Sequence, residues 1–191
     1  PVGGYRHLQE NIIWASNIQD AIFSELKNGH LPIMMGGDHA MSIGSIAAVA
    51  RYCSEKAKPI CMIWIDAHAD YNTNETSPSG NIHGMPVAVA TGVGPADLLS
   101  VGHAVPMIAP ENVYQIAIRS VDKNEKQLVI DSGISVYDMR RIDEIGIRQA
   151  MQDILHDVAE KGAHLHVSFD VDSLDPSIAP GVATTIPGGL T

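Results

Sequence analysis

Three short polar motifs carry most of the chemistry available to this sequence: Gly36-Gly37-Asp38-His39, Asp66-Ala67-His68-Ala69-Asp70 and Asp170-Val171-Asp172. Each follows an apolar run of strand length. In open α/β sheets ligands bind beyond the carboxyl ends of the strands, so residues far apart in sequence can converge on one crevice. In an extended backbone, side chains at i, i+2 and i+4 share a side, which predicts that Asp66, His68 and Asp70 point together, as do Asp170 and Asp172. Gathered carboxylates repel one another and their pKa values rise, whereas two divalent cations would neutralise them. The spacing therefore predicts a binuclear metal site. Carboxylate and imidazole without thiolate suits manganese or a similarly hard first-row ion better than structural zinc. Two such ions about 3.5 Å apart can share a water, lower its pKa and present hydroxide to an electrophilic carbon, so the predicted chemistry is metal-assisted hydrolysis. A lone Asp after a strand has a plainer reading, and Asp38 fits it as a turn former that accepts from backbone amides.

The elements that must position these motifs follow from periodicity. Asn11 to Lys27 places Ile12, Ile13, Ala15, Ile18, Ala21, Ile22 and Leu26 at helical spacing, and Asn28-Gly29 supplies a stop. Leu31 to Met35 reads as a short buried strand and Ser42 to Arg51 as a helix rich in Ala and Ile. Ile60 to Ile65 and Val113 to Ile118 have the length and branched residues of central strands. Ile134 to Tyr137 and His164 to Phe169 read as further strands, with one long amphipathic helix from Ile142 to Lys161 between them. Tyr71 to Gly84 is polar and reads as a loop. The predicted class is α/β, a three-layer doubly wound and mostly parallel sheet with helices on both faces, forming one domain over residues 1–191.

With 191 residues and 45% hydrophobic content, the chain is long enough for one sizeable core. A net charge of -10 with only 12 Lys and Arg argues against nucleic-acid binding, which needs clustered cations. Small molecules or metal cations are the expected partners. Cys53 and Cys61 lie in or beside apolar stretches without CxxC spacing, which predicts buried thiols and a reducing compartment such as the cytoplasm. No apolar run reaches the roughly 20 residues needed to span a bilayer, and no basic region leads into a signal core. Pro1 is not a natural initiator, and the sequence stops after Pro187-Gly188-Gly189-Leu190, where an α/β protein turns into its next helix. The expectation is an internal fragment lacking N-terminal and C-terminal portions.

Gly-Gly-Asp-His at 36–39, Asp-Ala-His-Ala-Asp at 66–70 and Ser-Phe-Asp-Val-Asp-Ser-Leu-Asp-Pro at 168–176 together resemble the signatures of the ureohydrolase family, from about Leu31 to Thr191. Within that family, residues 79–86 (Ser-Gly-Asn-Ile-His-Gly-Met-Pro) and 118–122 (Ile-Arg-Ser-Val-Asp) look like bacterial arginase segments rather than agmatinase ones. The resemblance implies two Mn2+ per chain. His39, Asp66, Asp70 and Asp170 would hold one ion, and Asp66, His68, Asp170 and Asp172 the other, with Asp66 and Asp170 bridging. It further implies that the bridging hydroxide attacks the guanidinium carbon of L-arginine to give ornithine and urea, with Asp70 orienting that hydroxide. His83 matches the family's proton shuttle, for which an imidazole titrating near neutrality is suited. Asn72, Ser79, Asn81 and Asp122 match positions at the amino-acid end of the substrate, and Thr184 one near the guanidinium. A glutamate beyond Thr191 and a first strand before Leu31 complete the family pattern. His103, His156, His164 and His166 match no ligand motif. The resemblance also implies a homo-oligomer, trimer or hexamer. The alternatives are an agmatinase or other guanidino hydrolase on the same two ions, and a non-catalytic chain that binds metal.

Overall fold

The computed structural model describes residues 3–191; Pro1, and its reading as no initiator, lies outside them. The chain divides into two compact units, one of residues up to Ile60 with Asp70–Ala109, the other of Cys61–Ala69 with Pro110–Thr191.

The first unit is helical. Helix α1, Leu8–Lys27, starts three residues before its apolar pattern does and closes at Asn28, followed by Gly29 at φ +82°. Its partner α2 spans Ser42–Glu55 and buries Ile43, Ile46, Ala47, Ala48, Val49 and Cys53. The two pack closely because Gly44 has no side chain. A Cβ there would lie 2.5 Å from the Ala15 carbonyl oxygen and 2.8 Å from Ile18 Cβ. Two short apolar helices that the periodicity did not reveal follow, α3 at Pro86–Ala90 and α4 at Ala96–Leu99. Pro86 opens α3 where a missing N–H costs nothing. Leu31 to Met35, expected as a buried strand, forms none: Leu31, Ile33 and Met35 are 85%, 81% and 88% exposed. Its composition suits a strand, but a strand exists only through its ladder, and no described strand pairs with it.

The second unit is built on a four-stranded sheet: β1 at Ile60–Ile65, β2 at Val113–Ile116, β3 at Ser135–Tyr137 and β4 at His164–Phe169, in the order β3-β2-β1-β4. β1 pairs with β2 and β2 with β3 in parallel, Met62 opposite Val113 and Tyr114 opposite Ser135. The inner strands are buried on both faces, which is why they read as unbroken apolar runs rather than alternating ones. Helix α5, Glu125–Ser132, was also not anticipated. The long helix expected over 142–161 is two, α6 at Met139–Ile145 and α7 at Ile147–Glu160, because Gly146 at φ +80° and ψ 146° leaves helical geometry between them. Ile142, Ala150, Ile154 and Val158 pack on Cys61, Ile63, Ile116 and Tyr137 to form the core of this unit. Cys53 and Cys61 are free and buried, and burial pushes both thiols up. No helix among the described residues is long and apolar enough to cross a membrane.

The tight α1–α2 contact is testable. Gly44→Ala forces its methyl into backbone and is expected to destabilise by about 1–3 kcal/mol, as overpacked sites do. Gly181→Ala, with open space around its Cβ position, should cost far less. Urea denaturation of both variants measures the difference, and equal midpoints would remove the glycine contact as a constraint.

Candidate metal centre

In the second unit the strand ends turn sharply, and the turns gather the acidic residues. β1 stops at Ile65, and Asp66 N donates to Ile116 O at 3.1 Å. The backbone then leaves the extended form assumed from the sequence: Asp66 Oδ1 accepts from His68 N at 2.7 Å, folding the carboxylate onto the amide two residues on. His68 makes a parallel bridge with Ser120, and Arg119 N and Ser120 N both donate to Ala67 O at 2.9 Å. The buried Gln115 amide supports the next residue, its Nε2 donating to Ala69 O at 2.6 Å.

β4 ends in the same way. Asp170 N donates to Ile65 O at 2.8 Å, and a short 3₁₀ turn, Val171–Ser173, follows with Asp170 Oδ1 accepting from Asp172 N at 2.9 Å. Asp170 and Asp172 are therefore brought together by a turn, not by strand alternation. Asp172 Oδ1 accepts from Ala67 N at 3.1 Å, and its Oδ2 accepts from Thr184 Oγ1 at 2.8 Å and lies 3.1 Å from His68 Nδ1. His68 Nδ1 is 3.4 Å from Asp66 Oδ1. One ligand atom from each of Asp66, His68 and Asp172 lies within 4.8 Å of the other two, close enough to share a cation.

In the first unit, His39 opens a 3₁₀ turn, His39–Met41, capped by Asp38, whose Oδ1 accepts from Ala40 N at 3.0 Å. The turn-forming reading of Asp38 holds. His39 Nδ1 lies 3.5 Å from Asp70 Oδ2, both side chains 10% exposed. Asp70 sits at φ +48°, so it does not continue an extended run, and its carbonyl accepts from Val87 N at 3.0 Å where α3 begins. The polar loop 71–84 is a loop as expected. Asn72 is buried, its N donating to Gly84 O at 3.0 Å, while the exposed Ser79 accepts from Asn81 N through Oγ at 3.2 Å. Arg6 N donates to Gly80 O at 2.8 Å, and Tyr5 OH to Asn74 Oδ1 at 3.0 Å. His83 is half-buried, with Nδ1 3.6 Å from Asp38 Oδ2, and its nearness is the main reason the Asp38 carboxyl stays below its usual range.

Asp122, exposed at the approach to α5, donates its backbone N to the buried Glu125 carboxylate at 3.0 Å. His156 pairs with Glu160 on the surface, and His164 and His166 lie along β4.

A profile of the Arginase family matches residues 5–191. The chain belongs to the arginase family. The arginase of Bacillus caldovelox is 43% identical over 171 residues, covering 90% of this chain and 56% of that protein. Its crystal structure superposes with a TM-score of 0.93 at 40% identity, covering 99% of this chain and 62% of that one. The Entamoeba histolytica arginase in complex with L-ornithine gives a TM-score of 0.91 at 34% identity, covering 98% and 63%. This arginase-family chain thus spans about three fifths of the length of the relatives it matches, and its parallel sheet with helices is the arginase-like fold.

The electrostatics of the cluster in the second unit fit a divalent ion. Asp66 and Asp172 are 1% and 3% exposed, two buried carboxyl groups beside one imidazole. Burial disfavours a charged His68, yet its hydrogen bonds to the Asp172 and Asp66 carboxylates outweigh it and carry its pKa up to about 10. Asp172 is opposed by its own burial, but bonds from His68, Thr184 and the Ala67 amide bring it down to about 2. A metal must displace the His68 proton, since ligands bind deprotonated. In metal-free protein the raised His68 pKa stabilises the fold fully below about 6.5 and loses that contribution as pH rises through about 10. Titration of chelated protein by NMR should show one imidazole charged well above pH 7, and Asp172→Asn should return it toward its ordinary range. An ordinary His68 titration in the unsubstituted chain would break this account.

Proposed function

We propose that the protein bearing this chain hydrolyses L-arginine to ornithine and urea using two manganese ions. The observation that carries the proposal is the cluster of Asp66, His68 and Asp172, donors without thiolate on two buried strand-end turns. Membership of the arginase family supports the substrate, as does the complex of the Entamoeba histolytica arginase with L-ornithine. The proposed ligands are His39, Asp66, His68, Asp70, Asp170 and Asp172, with Asp66 and Asp170 serving both ions. When bound, the ions supply Lewis acidity that makes hydroxide available near neutral pH. Asp70 accepts a hydrogen bond from the attacking water and orients it. His83 moves a proton to the departing amine, for which a half-buried imidazole near a carboxylate is suited. Asn72, Ser79 and Asn81 bind the α-carboxylate as neutral donors, Asp122 pairs with the α-ammonium, and Thr184 lies near the guanidinium. Residues 1–191 form part of one ureohydrolase domain, and the protein is a cytoplasmic homo-oligomer, a trimer or hexamer, that takes a small-molecule substrate and no nucleic acid.

The ligand assignment and the chemistry separate experimentally in the full-length protein. Asp66→Ala and Asp170→Ala should each lower manganese content below two per chain by mass spectrometry, and retention of both ions would refute bridging. His83→Ala should keep the metals and lower kcat by about 10²- to 10⁴-fold, the usual contribution of a general acid. The substrate is decided by kcat/KM. A site built to hydrogen-bond the α-carboxylate rejects agmatine, which lacks it, by up to about 10⁴, so parity between the two substrates would refute an arginase.

A further inference from the structure

Arg119 has no role in the function proposed above, yet its side chain makes six hydrogen bonds to backbone carbonyls. Nη2 donates to Asp172 O and Ile186 O, both at 2.7 Å, and to Leu174 O at 3.3 Å. Nη1 donates to Ser173 O at 3.1 Å and Ala117 O at 3.3 Å, and Nε to Ile186 O at 3.2 Å. The guanidinium thus collects five backbone carbonyls, three of them consecutive at the end of the turn that carries Asp170 and Asp172. Such carbonyls have no partner within the turn itself; Ser173 O also accepts from Leu190 N at 3.0 Å, while Asp172 O and Leu174 O are met by the guanidinium, and leaving them unpaired is costly. The backbone of the same residue holds the other ligand-bearing turn: Arg119 N and Ser120 N donate to Ala67 O, between Asp66 and His68. Ile186 O ties in the segment whose Thr184 hydroxyl bonds Asp172.

From this convergence we infer that Arg119 is a positioning residue for the metal centre, fixing the Asp66–His68 and Asp170–Asp172 turns relative to one another so that their donors are set before a cation arrives. Only a planar fork with five donors can meet carbonyls in this spread; an ammonium offers three donors from one point. The surroundings are shaped to it as well. Gly189 packs against the fork, and a Cβ there would fall 2.7 Å from Arg119 Nη2 and 2.6 Å from Leu174 C. Burial disfavours the charge, while Asp172, Asp175 and Asp66 favour it.

The inference rests on the metal-dependent reading above, and the test separates the two. Manganese affinity of the full-length protein is measured by chelator competition, without assaying activity, alongside the melting temperature with chelator and with saturating manganese. Arg119→Lys keeps the charge but loses the fork, and should weaken manganese about 10–100-fold, the usual effect of removing a group that orients metal ligands. The rise in melting temperature on adding manganese should shrink accordingly. Gly44→Ala, which loosens the α1–α2 contact, shows how much affinity is lost through lowered stability alone. If Arg119→Lys does not fold, Gly189→Ala displaces the guanidinium without removing it and should weaken manganese in the same direction. Wild-type affinity in either folded variant, or a loss no larger than that of Gly44→Ala, overturns the positioning role. An unsubstituted protein that takes up no manganese overturns the function proposed above and this role with it.

Discussion

The second unit is arranged around the burial of two carboxylates at neighbouring strand ends. Ionised oxygens out of water are costly unless each lone pair finds a donor. Here the donors are local: Asp66 folds onto the His68 amide, Asp172 accepts from the Ala67 amide and the Thr184 hydroxyl, and His68 faces both. These bonds need the end of β1 beside the end of β4, though Ala67 and Asp172 are 105 positions apart. The order β3-β2-β1-β4 makes those two strands neighbours. The apolar strands and the helices packed on them therefore fix where two turns meet. A core substitution that shifted β1 against β4 would act on the site through those turns rather than through any change at the acidic residues themselves.

Much of this was legible in residue types and spacing, and what was not has definite physical causes. β1 and β4 were recognised with the bounds they have, β1 because length and branched residues mark a central strand and β4 from its alternating character. Leu31 to Met35 has the same character and forms no strand, since pairing depends on a neighbour that composition does not specify. The break at Gly146 was hidden because one glycine is tolerated within a helix and only its φ and ψ show that it ends one. At the site, Asp66, His68 and Asp172 do come together, but not for the reason the alternation rule gave. The rule assumes extended backbone, whereas Asp70 is at φ +48°, and Asp170 caps a 3₁₀ turn that contains Asp172. Short acidic side chains that bond the amide two residues on produce these turns and leave no periodic signature. Arg119 and Gln115 were missed for a related reason. Both act by donating to main-chain carbonyls, and no spacing of residue types encodes where a carbonyl points.

The polar loop shows the same division between chemistry and backbone. Ser79, Asn81 and His83 stand out by type, but their placement depends on a strap near the start of the chain. Arg6 N bonds Gly80 O, Tyr5 OH bonds Asn74, and Asn74 Nδ2 bonds Gly3 O at 3.1 Å. Gly80, at φ +73°, lets the strap pass so close that a Cβ would lie 2.5 Å from Gly4 O. A loop of 14 residues without a strand or a long helix would ordinarily sample many conformations. Tied at Asn74 and Gly80, it holds polar groups already in place, which would lower the ordering cost of the substrate binding proposed for it.

Two cations face the acidic turns of the second unit, and their chemistry divides the work between them. Neighbouring carboxylates favour a protonated His68, which without metal supplies compensating charge to the cluster. Under the proposed function that charge is exchangeable: a divalent ion would take its place, and the freed imidazole nitrogen would become a ligand. Arg119 carries a guanidinium that does not lose its proton in proteins, and its fork is committed to carbonyls rather than carboxylates. It therefore cannot fold onto Asp66 or Asp172 and fill the place of the metal. A lysine there, with a mobile ammonium and a proton it can lose on burial, would be free to do so. A permanent charge committed to the backbone of the turns and an exchangeable one on His68 would together leave the proposed ligands ordered and open to a cation.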